Sequence, residues 1–447
     1  MIAKIAVSAA RFSIDKPYSY RFGEDLTLIP GIRVMVPFGS GNRRTEGVVL
    51  SVESGDESGL KAVLQQLDQE PLLSPVMLRL AAFLRERYFC TFLDGVRAMI
   101  PAPLWFRTLE RFTLTPEKPW AGKTIRQPDA SAILELLESL GGECDSEALK
   151  SAVPDEEARD KALAYLLKKK WITTESDFLR RTGDKSEQIA TLAASAEEAL
   201  AFAASRPKGA AMQKAVLELL CSIGSGAVKD ICYYTGASKQ TVKRLEAMGY
   251  LTLSTRPVLR CRQIVPAKLE GPLVLSDEQR SAFEGLWAQA NREKPGIALL
   301  YGVTGSGKTS VYLKLIENTL AAGKSAMLLV PEIALTPQLL SVLAAHFGSR
   351  VALLHSSLAD GERADQWKRL KSGDAKVAVG TRSAVFAPCK NLGLIILDEE
   401  QEHSYRSEQS PRYSAREVAI WRGNQEKALV LLGSATPSIE TMYRAKQ

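Results

Sequence analysis

Residues Gly302-Val303-Thr304-Gly305-Ser306-Gly307-Lys308-Thr309 follow directly on the apolar run Ile297-Ala298-Leu299-Leu300-Tyr301. The octet fits G-x-x-x-x-G-K-[ST], and the run before it reads as a buried strand. Glycines at this spacing let successive backbone N–H groups turn inward around the β- and γ-phosphates, while Lys308 adds a cation and Thr309 a hydroxyl for Mg²⁺. A nucleoside triphosphate is the implied ligand. A Gly-rich strand-to-helix turn that holds nothing is the plain alternative, and the preceding strand argues against it. The phosphate-loop candidates are Gly302, Thr304, Gly305, Ser306, Gly307, Lys308, Thr309 and Ser310.

Downstream, Leu392-Gly393-Leu394-Ile395-Ile396-Leu397 runs into Asp398-Glu399-Glu400. A continuous apolar run ending in acids is the pattern of a parallel strand covered on both faces. Its carboxylates stand at the edge where open α/β sheets bind ligands, so Asp398 can hold Mg²⁺ and Glu399 can orient or deprotonate a water. A single acid there could be a helix N-cap, but beside a complete phosphate loop the pair points to NTP hydrolysis. From 265 to 447, apolar β runs alternate with helical lengths, which predicts a RecA-like lobe with a parallel sheet.

Four more motifs fall at strand ends in this lobe. Leu275-Ser276-Asp277-Glu278-Gln279 places Gln279 where an amide can read both polar groups of an adenine edge, selecting ATP. The segments at 331–338 (PEIALTPQ) and 380–388 (GTRSAVFAP, with Arg382) combine backbone N–H groups, hydroxyls and an arginine suited to the phosphates of a single strand. Gly433-Ser434-Ala435-Thr436 offers hydroxyls at Ser434 and Thr436 that could link the Mg²⁺ carboxylates to those loops. Each alone is ordinary turn chemistry; their joint order is not.

The whole chain has 447 residues, 45% hydrophobic and 24% charged, a globular composition with room for roughly three domains. No apolar run approaches the roughly 20 residues of a membrane span, and Met1-Ile2-Ala3-Lys4 opens without a signal-peptide core, so a cytoplasmic protein with no membrane part is expected. Six scattered cysteines, without C-x-x-C, spell neither a zinc site nor a disulfide framework. A net charge of +7 fits nucleic-acid binding and a solvated basic surface equally.

Residues 1–105 alternate β-rich runs with turn residues, which predicts a small barrel or sheet, with a helix from Ser74 to Tyr88 packed across it. Residues 106–260 hold an imperfect repeat: Ala132 to Gly141 resembles Ala215 to Gly224, and Leu166 to Ile172 resembles Leu245 to Leu251. Each copy, about 128–176 and 210–258, reads as three helices and a wing, a winged-helix layout. In the second, Ser238 caps a helix carrying Lys239, Gln240, Lys243 and Arg244 toward duplex DNA; spacing or protein docking is the other use of such modules. The Ala/Glu-rich stretch from Arg180 to Lys208 reads as a connector between the copies.

The order LSDEQ (275–279), GVTGSGKT (302–309), PEIALTPQ, LHSSL (354–358), GTRSAVFAP, LDEEQ (397–401) with PRYSARE (411–417), and GSATPS (433–438) resembles the first motor lobe of the primosomal protein N′ family, the PriA-type replication-restart helicases of superfamily 2. RVMVPFG (33–39), GVVLSV (47–52) and LKAVLQQLD (60–68) are similar to that family's domain for a DNA 3′ end. The resemblance covers essentially the whole chain, most weakly between about 107 and 210. It implies an ATP- and Mg²⁺-dependent 3′ to 5′ DNA helicase acting in replication restart and primosome assembly at stalled forks. Its partners would be branched and single-stranded DNA, forks with a 3′ end, primosome proteins and single-strand-binding protein.

Carried over residue by residue, Lys308 and Thr309 would bind phosphate and Mg²⁺, Asp398 the metal, and Glu399 the water. Tyr405, Arg406, Arg412 and Tyr413 would belong to the aromatic-rich loop that couples single-stranded DNA to hydrolysis. Tyr18-Ser19-Tyr20 would correspond to the aromatic segment of the 3′-end pocket, with Lys61 contacting a phosphate or terminal hydroxyl. The family usually has Asp where Ser19 stands, which weakens or changes that contact. It often reads DEEH where Asp398-Glu399-Glu400-Gln401 stands here, with His403 two places on; Gln401 keeps hydrogen-bonding capacity, so coupling is expected to persist. The family continues into a second motor lobe with an arginine finger and a cysteine-rich zinc module, whereas this sequence runs to Gln447. The expectation is therefore the front half of a helicase, binding ATP and DNA weakly and hydrolysing poorly as an isolated chain. A non-motor module for forks and nucleotide, or a winged-helix DNA-binding regulator, are the other readings.

Overall fold

The computed structural model describes residues 1–8, 12–39, 41–117, 119–120, 125, 127–180, 186–205, 211–257, 265–268 and 271–446. Its N-terminal part holds strands β1 (Ile2–Val7), β2 (Tyr18–Arg21), β3 (Arg33–Phe38), β4 (Arg43–Glu53) and β5 (Gln65–Gln66), followed by helices α1 (Pro75–Tyr88) and α2 (Phe92–Met99). The antiparallel sheet runs β2-β1-β4-β3-β5. The segment leading into β5 returns to β2, where Arg21 N–H donates to the Lys61 carbonyl at 3.0 Å and Val63 N–H to the Arg21 carbonyl at 2.9 Å, so the sheet curls toward closure. Alternation along β1, β3 and β4 sends Ile5, Val34, Val36 and Val49 inward as one core. Ser74 caps α1, with Pro75 at its first position, where a missing N–H costs nothing.

The next two parts repeat one plan. The first comprises β6 (Phe106–Leu114), α3 (Pro128–Ser139), β7 (Glu143–Asp145), α4 (Ser146–Ala152), α5 (Glu156–Lys168) and β8 (Ile172–Arg180), with sheet order β7-β6-β8. It forms a compact unit over Ala102–Gly183, around Ile133, Leu137, Leu149, Leu166 and Trp171. The second comprises β9 (Ser186–Leu192), α6 (Ala196–Ala204), α7 (Ala211–Ile223), β10 (Ser225–Ala227), α8 (Val228–Thr235), α9 (Lys239–Ala247) and β11 (Leu251–Pro257), ordered β10-β9-β11. The stretch expected as a connector therefore carries β9 and α6. Its polar residues are the solvent side of a strand whose Ala190 is fully buried, and of a helix held by a capping box at Ser195 and Glu198.

The C-terminal part holds α10 (Asp277–Ala290), β12 (Ile297–Tyr301), α11 (Lys308–Ala321), β13 (Ser325–Leu329), α12 (Pro337–Phe347), β14 (Val351–Leu354), α13 (Asp360–Ser372), β15 (Val377–Gly380), β16 (Leu392–Leu397), α14 (Ala415–Glu426), β17 (Leu429–Ser434) and α15 (Ile439–Ala445). Six strands pair in parallel in the order β12-β17-β16-β13-β15-β14. Every residue of β13, β14, β15, β16 and β17 is buried, which is why these strands read as unbroken apolar runs. The order places β17 between the strand feeding the phosphate loop and the strand ending at Asp398.

This lobe and the N-terminal part lie in one compact unit and meet along α14. Arg87 donates twice to the Glu417 carboxylate, each at 3.1 Å, and the Tyr88 hydroxyl donates to it at 2.7 Å. The same hydroxyl accepts the Ser414 N–H at 3.2 Å, supplementing the cap of α14 from another domain. Phe83 stacks on Trp421 at 5.4 Å, and Trp367 Nε1 donates to the Met99 carbonyl at 3.0 Å.

Candidate active site

The phosphate loop leaves β12 and enters α11 through Gly305 and Gly307, at φ +80° and +79°, backbone that an L side chain adopts only with strain. Lys308 opens the helix. Its ammonium donates to the Gly302 carbonyl at 2.9 Å and stands 3.8 Å from Glu399 Oε1. The N-terminal end of the helix dipole adds positive potential beside it. Thr309, on that turn, is exposed, as are Thr304, Gly305 and Ser306. Gln279 is engaged at both ends: its Oε1 accepts the Ser276 N–H at 3.0 Å in a capping box, and its Nε2 donates to the Ser306 carbonyl at 2.9 Å. The amide thus clasps the phosphate loop from α10, and reading an adenine edge requires it to release at least one of these bonds.

Opposite, Asp398 follows β16 with its N–H bonded to the Leu329 carbonyl at 2.9 Å. Its Oδ1 accepts the Tyr312 hydroxyl at 2.9 Å. Burial raises its pKa, and the Tyr312 hydrogen bond and the Lys308 charge oppose that rise. Glu399 turns through φ +47°, which brings its carboxylate back toward Lys308. From there a chain of hydrogen bonds runs across the sheet edge. Gln401 Nε2 donates to Glu399 Oε2 at 2.9 Å, Ser434 Oγ donates to Gln401 Oε1 at 2.6 Å, and Thr436 N–H donates to Ser434 Oγ at 2.9 Å. The position of β17 makes this reachable: Gly302 N–H bonds the Ser434 carbonyl at 3.2 Å and Glu400 N–H the Gly433 carbonyl at 3.0 Å. Glu400 is buried and structural, accepting the Ser438 N–H at 2.8 Å and pairing with Arg416 at 2.9 Å.

Among the described residues no group of three His, Cys, Asp or Glu side chains could hold a metal by itself. One carboxylate and one hydroxyl, both oxygen donors, fit Mg²⁺ that arrives with nucleotide phosphates completing its shell.

The loop after these acids turns its tyrosines inward and its arginines outward. Tyr405 is buried and donates to the Leu329 carbonyl at 3.0 Å and the Asp398 carbonyl at 2.7 Å. Tyr413 is buried against Phe386 at 4.7 Å, its hydroxyl pushed up to about 12 by burial. Arg382 donates to the Arg406 carbonyl and faces the Tyr413 ring at 5.9 Å. Arg406 and Arg412 are exposed. As DNA contacts, Tyr405 and Tyr413 are thus corrected to anchors, because each ring is buried beneath the loop. Glu332, Leu335, His355, Ser357 and Thr381, from three strand ends, line a cleft of about 570 Å³ in the same lobe.

In the N-terminal part, Tyr20 is also corrected to core: it is 3% exposed, with its hydroxyl donating to the Pro37 carbonyl at 3.2 Å. Strand alternation sends it inward. Tyr18 is half-buried, edge-on to Phe38 at 5.0 Å, with Lys16 near its ring at 5.8 Å. Ser19 Oγ accepts Lys4 Nζ at 2.9 Å, and Lys61, exposed, donates to the Gly39 carbonyl at 2.7 Å. Tyr18 shares the face of Tyr20, packs at the edge of the same core and donates its hydroxyl to the Ile14 carbonyl at 2.8 Å.

The 3'DNA-binding domain (3'BD) family matches residues 4–101, and the DEAD/DEAH box helicase family matches residues 278–445. Replication restart protein PriA of Bacillus subtilis is 36% identical over 454 residues, covering 100% of this chain and 54% of its own length. The chain belongs to the PriA family. The PriA proteins of Synechocystis sp. and Haemophilus influenzae are 32% and 31% identical, covering 95% and 98% of this chain and 51% and 50% of their own. The chain spans about half the length of the curated relatives it matches.

Two groups in this PriA-family chain escaped the sequence reading. Tyr312 lies three residues beyond Thr309, a spacing that puts both on one helix face and could have flagged it. Arg422, 1% exposed, donates to the Val385 and Ala387 carbonyls at 2.8 and 2.9 Å and pairs with Glu426 at 2.7 Å. It braces the 382–387 loop from α14, and nothing in the local sequence marks it.

Proposed function

We propose that this chain is the ATP-hydrolysing and DNA-gripping part of a replication-restart helicase that moves 3′ to 5′ on the strand it holds. Residues 1–105 would receive a DNA 3′ end, 106–260 would form the winged-helix region, and 265–447 would be the first motor lobe. The observation that carries the reading is the unbroken run Lys308, Glu399, Gln401, Ser434, Thr436, together with Tyr405 tying Asp398 to the loop of Arg406 and Arg412. It joins phosphate-binding groups to strand-facing groups through one ion pair and a series of hydrogen bonds, the arrangement needed for grip to follow nucleotide state. No helix among the described residues is long and apolar enough to cross a membrane. On this reading the protein works in the cytoplasm on branched and single-stranded DNA, with primosome proteins and single-strand-binding protein as further partners.

Lys308 would exchange its contacts with Gly302 and Glu399 for phosphate oxygens. Glu399, held by Gln401 on one oxygen, would present the other to a water in line with the terminal phosphate. Asp398 and Thr309 would hold Mg²⁺, which neutralises charge on the transferred group. Measuring DNA-stimulated ATP turnover and fork binding of wild-type and Lys308→Ala proteins tests this. We expect turnover to fall at least about 100-fold, several kcal/mol of transition-state stabilisation, with fork binding within a few-fold. Undiminished turnover in the variant overturns the phosphate-loop assignment. A wild-type protein that binds forks and ATP without turnover favours the non-motor reading instead.

A further inference from the structure

We propose that Tyr312 is a positioning residue for the Mg²⁺-binding carboxylate of Asp398, a role that rests on the hydrolysis reading above. Tyr312 sits in the second turn of α11, one turn on from Thr309, so the helix that supplies the metal's hydroxyl also supplies the hydroxyl that meets its carboxylate. Its ring is 2% exposed and its hydroxyl lies 2.9 Å from Asp398 Oδ1.

Two features separate this contact from ordinary packing. First, β17 is cleared to admit it: a Cβ at Gly433 would lie 1.7 Å from the Tyr312 hydroxyl and 3.4 Å from Asp398 Oδ1. The same Cβ would lie 2.9 Å from the ring carbon Cζ, so the glycine makes room for the ring tip and its hydroxyl together, and the hydroxyl is the part that bonds Asp398. Second, the Asp398 backbone is already pinned on both sides, its N–H to Leu329 and its carbonyl by Tyr405. The side-chain torsions are the freedom that remains, and a donor on one oxygen sets them, directing the carboxylate as outer partners of metal ligands do.

The test uses the full 447-residue chain, wild-type and Tyr312→Phe, binding a fluorescent ATP analogue first in EDTA and then across an MgCl₂ titration. We expect EDTA affinity within about twofold of wild-type, because the phosphate loop is untouched, and a Mg²⁺ midpoint raised about tenfold. An unchanged midpoint, beside a clear Mg²⁺ response in the wild-type chain, overturns the positioning role and leaves the hydrolysis reading standing. Loss of affinity in EDTA as well makes Tyr312 a packing residue and equally overturns the role. A wild-type chain with no Mg²⁺ response, unaffected by Asp398→Ala, overturns the hydrolysis reading and this role with it.

Discussion

Glu46 shows how one residue can set the pH response of a domain. It lies on β4 beside Arg33, which is 1% exposed, donates to Glu46 at 3.1 Å and also pairs with Asp68 at 2.8 Å. One buried cation thus serves two carboxylates. Burial raises Glu46 from 4.5 to about 7, with the Arg33 charge opposing and the Asp68 charge adding to the rise. Between these values the folded chain binds more protons at Glu46 than the unfolded chain does, so stability falls as pH rises through that window. We expect urea unfolding of the N-terminal domain to show a loss on the order of 2 kcal/mol from pH 5 to pH 8 that Glu46→Gln largely abolishes. Parallel pH dependence in both proteins would remove Glu46 as its source.

At the scale of the element, α14 braces α1 of the N-terminal part against the 382–387 loop. Its first turn is completed by Ser414 and the Tyr88 hydroxyl, and its middle carries Trp421 onto Phe83 and sends Arg422 under the 382–387 loop. Arg422→Met keeps length and apolar bulk but leaves the Val385 and Ala387 carbonyls and Glu426 without their donor. Breaking such a buried set costs about 3–5 kcal/mol, so the denaturation midpoint of the motor lobe should drop clearly. Arg422→Lys should restore only part of it, since an ammonium cannot bridge both carbonyls and the carboxylate in one plane. An unshifted midpoint would show that the loop holds itself.

Across the whole molecule, the two repeats over 106–180 and 186–257 share a plan and differ in the net charge of the matching helix. On α9, Lys239, Lys243 and Arg244 are exposed, and Glu246 is turned aside to accept the Leu253 N–H at 3.2 Å. On α5, Glu156, Glu157 and Asp160 are exposed, and Arg159 donates to the Val153 and Pro154 carbonyls. If these helices meet duplex DNA, as proposed, α9 would attract it, whereas on α5 the three acids are offset by Arg159, Lys161 and Lys168 and little attraction is left. Replacing Lys243 and Arg244 by Ala should weaken duplex binding uniformly across sequences and reduce its salt slope by about 2, while Lys161→Ala on α5 should leave the slope unchanged. Equal effects from both helices would remove the distinction.

The motor lobe was legible in the chain because its strands are buried on both faces and so read as continuous apolar runs, and because phosphate binding needs glycines at fixed spacing. The repeat showed in its helices, yet β9 and α6 stayed hidden, since a half-exposed strand and an Ala/Glu helix have the composition of a connector. Residues that act together through the sheet could be named but not joined. Gln401 and Ser434 are 33 positions apart and Tyr312 and Asp398 86, and only the strand order, with β17 set between β12 and β16, brings each pair into contact. Tyr18 and Tyr20 look alike in sequence and share one face of β2, and only the tertiary packing decides that Tyr20 is enclosed while Tyr18 is half-buried at the edge of the same core. The local pattern determines which chemistry is present, because it depends on neighbours along the chain. Which groups meet is decided by the tertiary structure, because that depends on register and strand order, set by long-range burial.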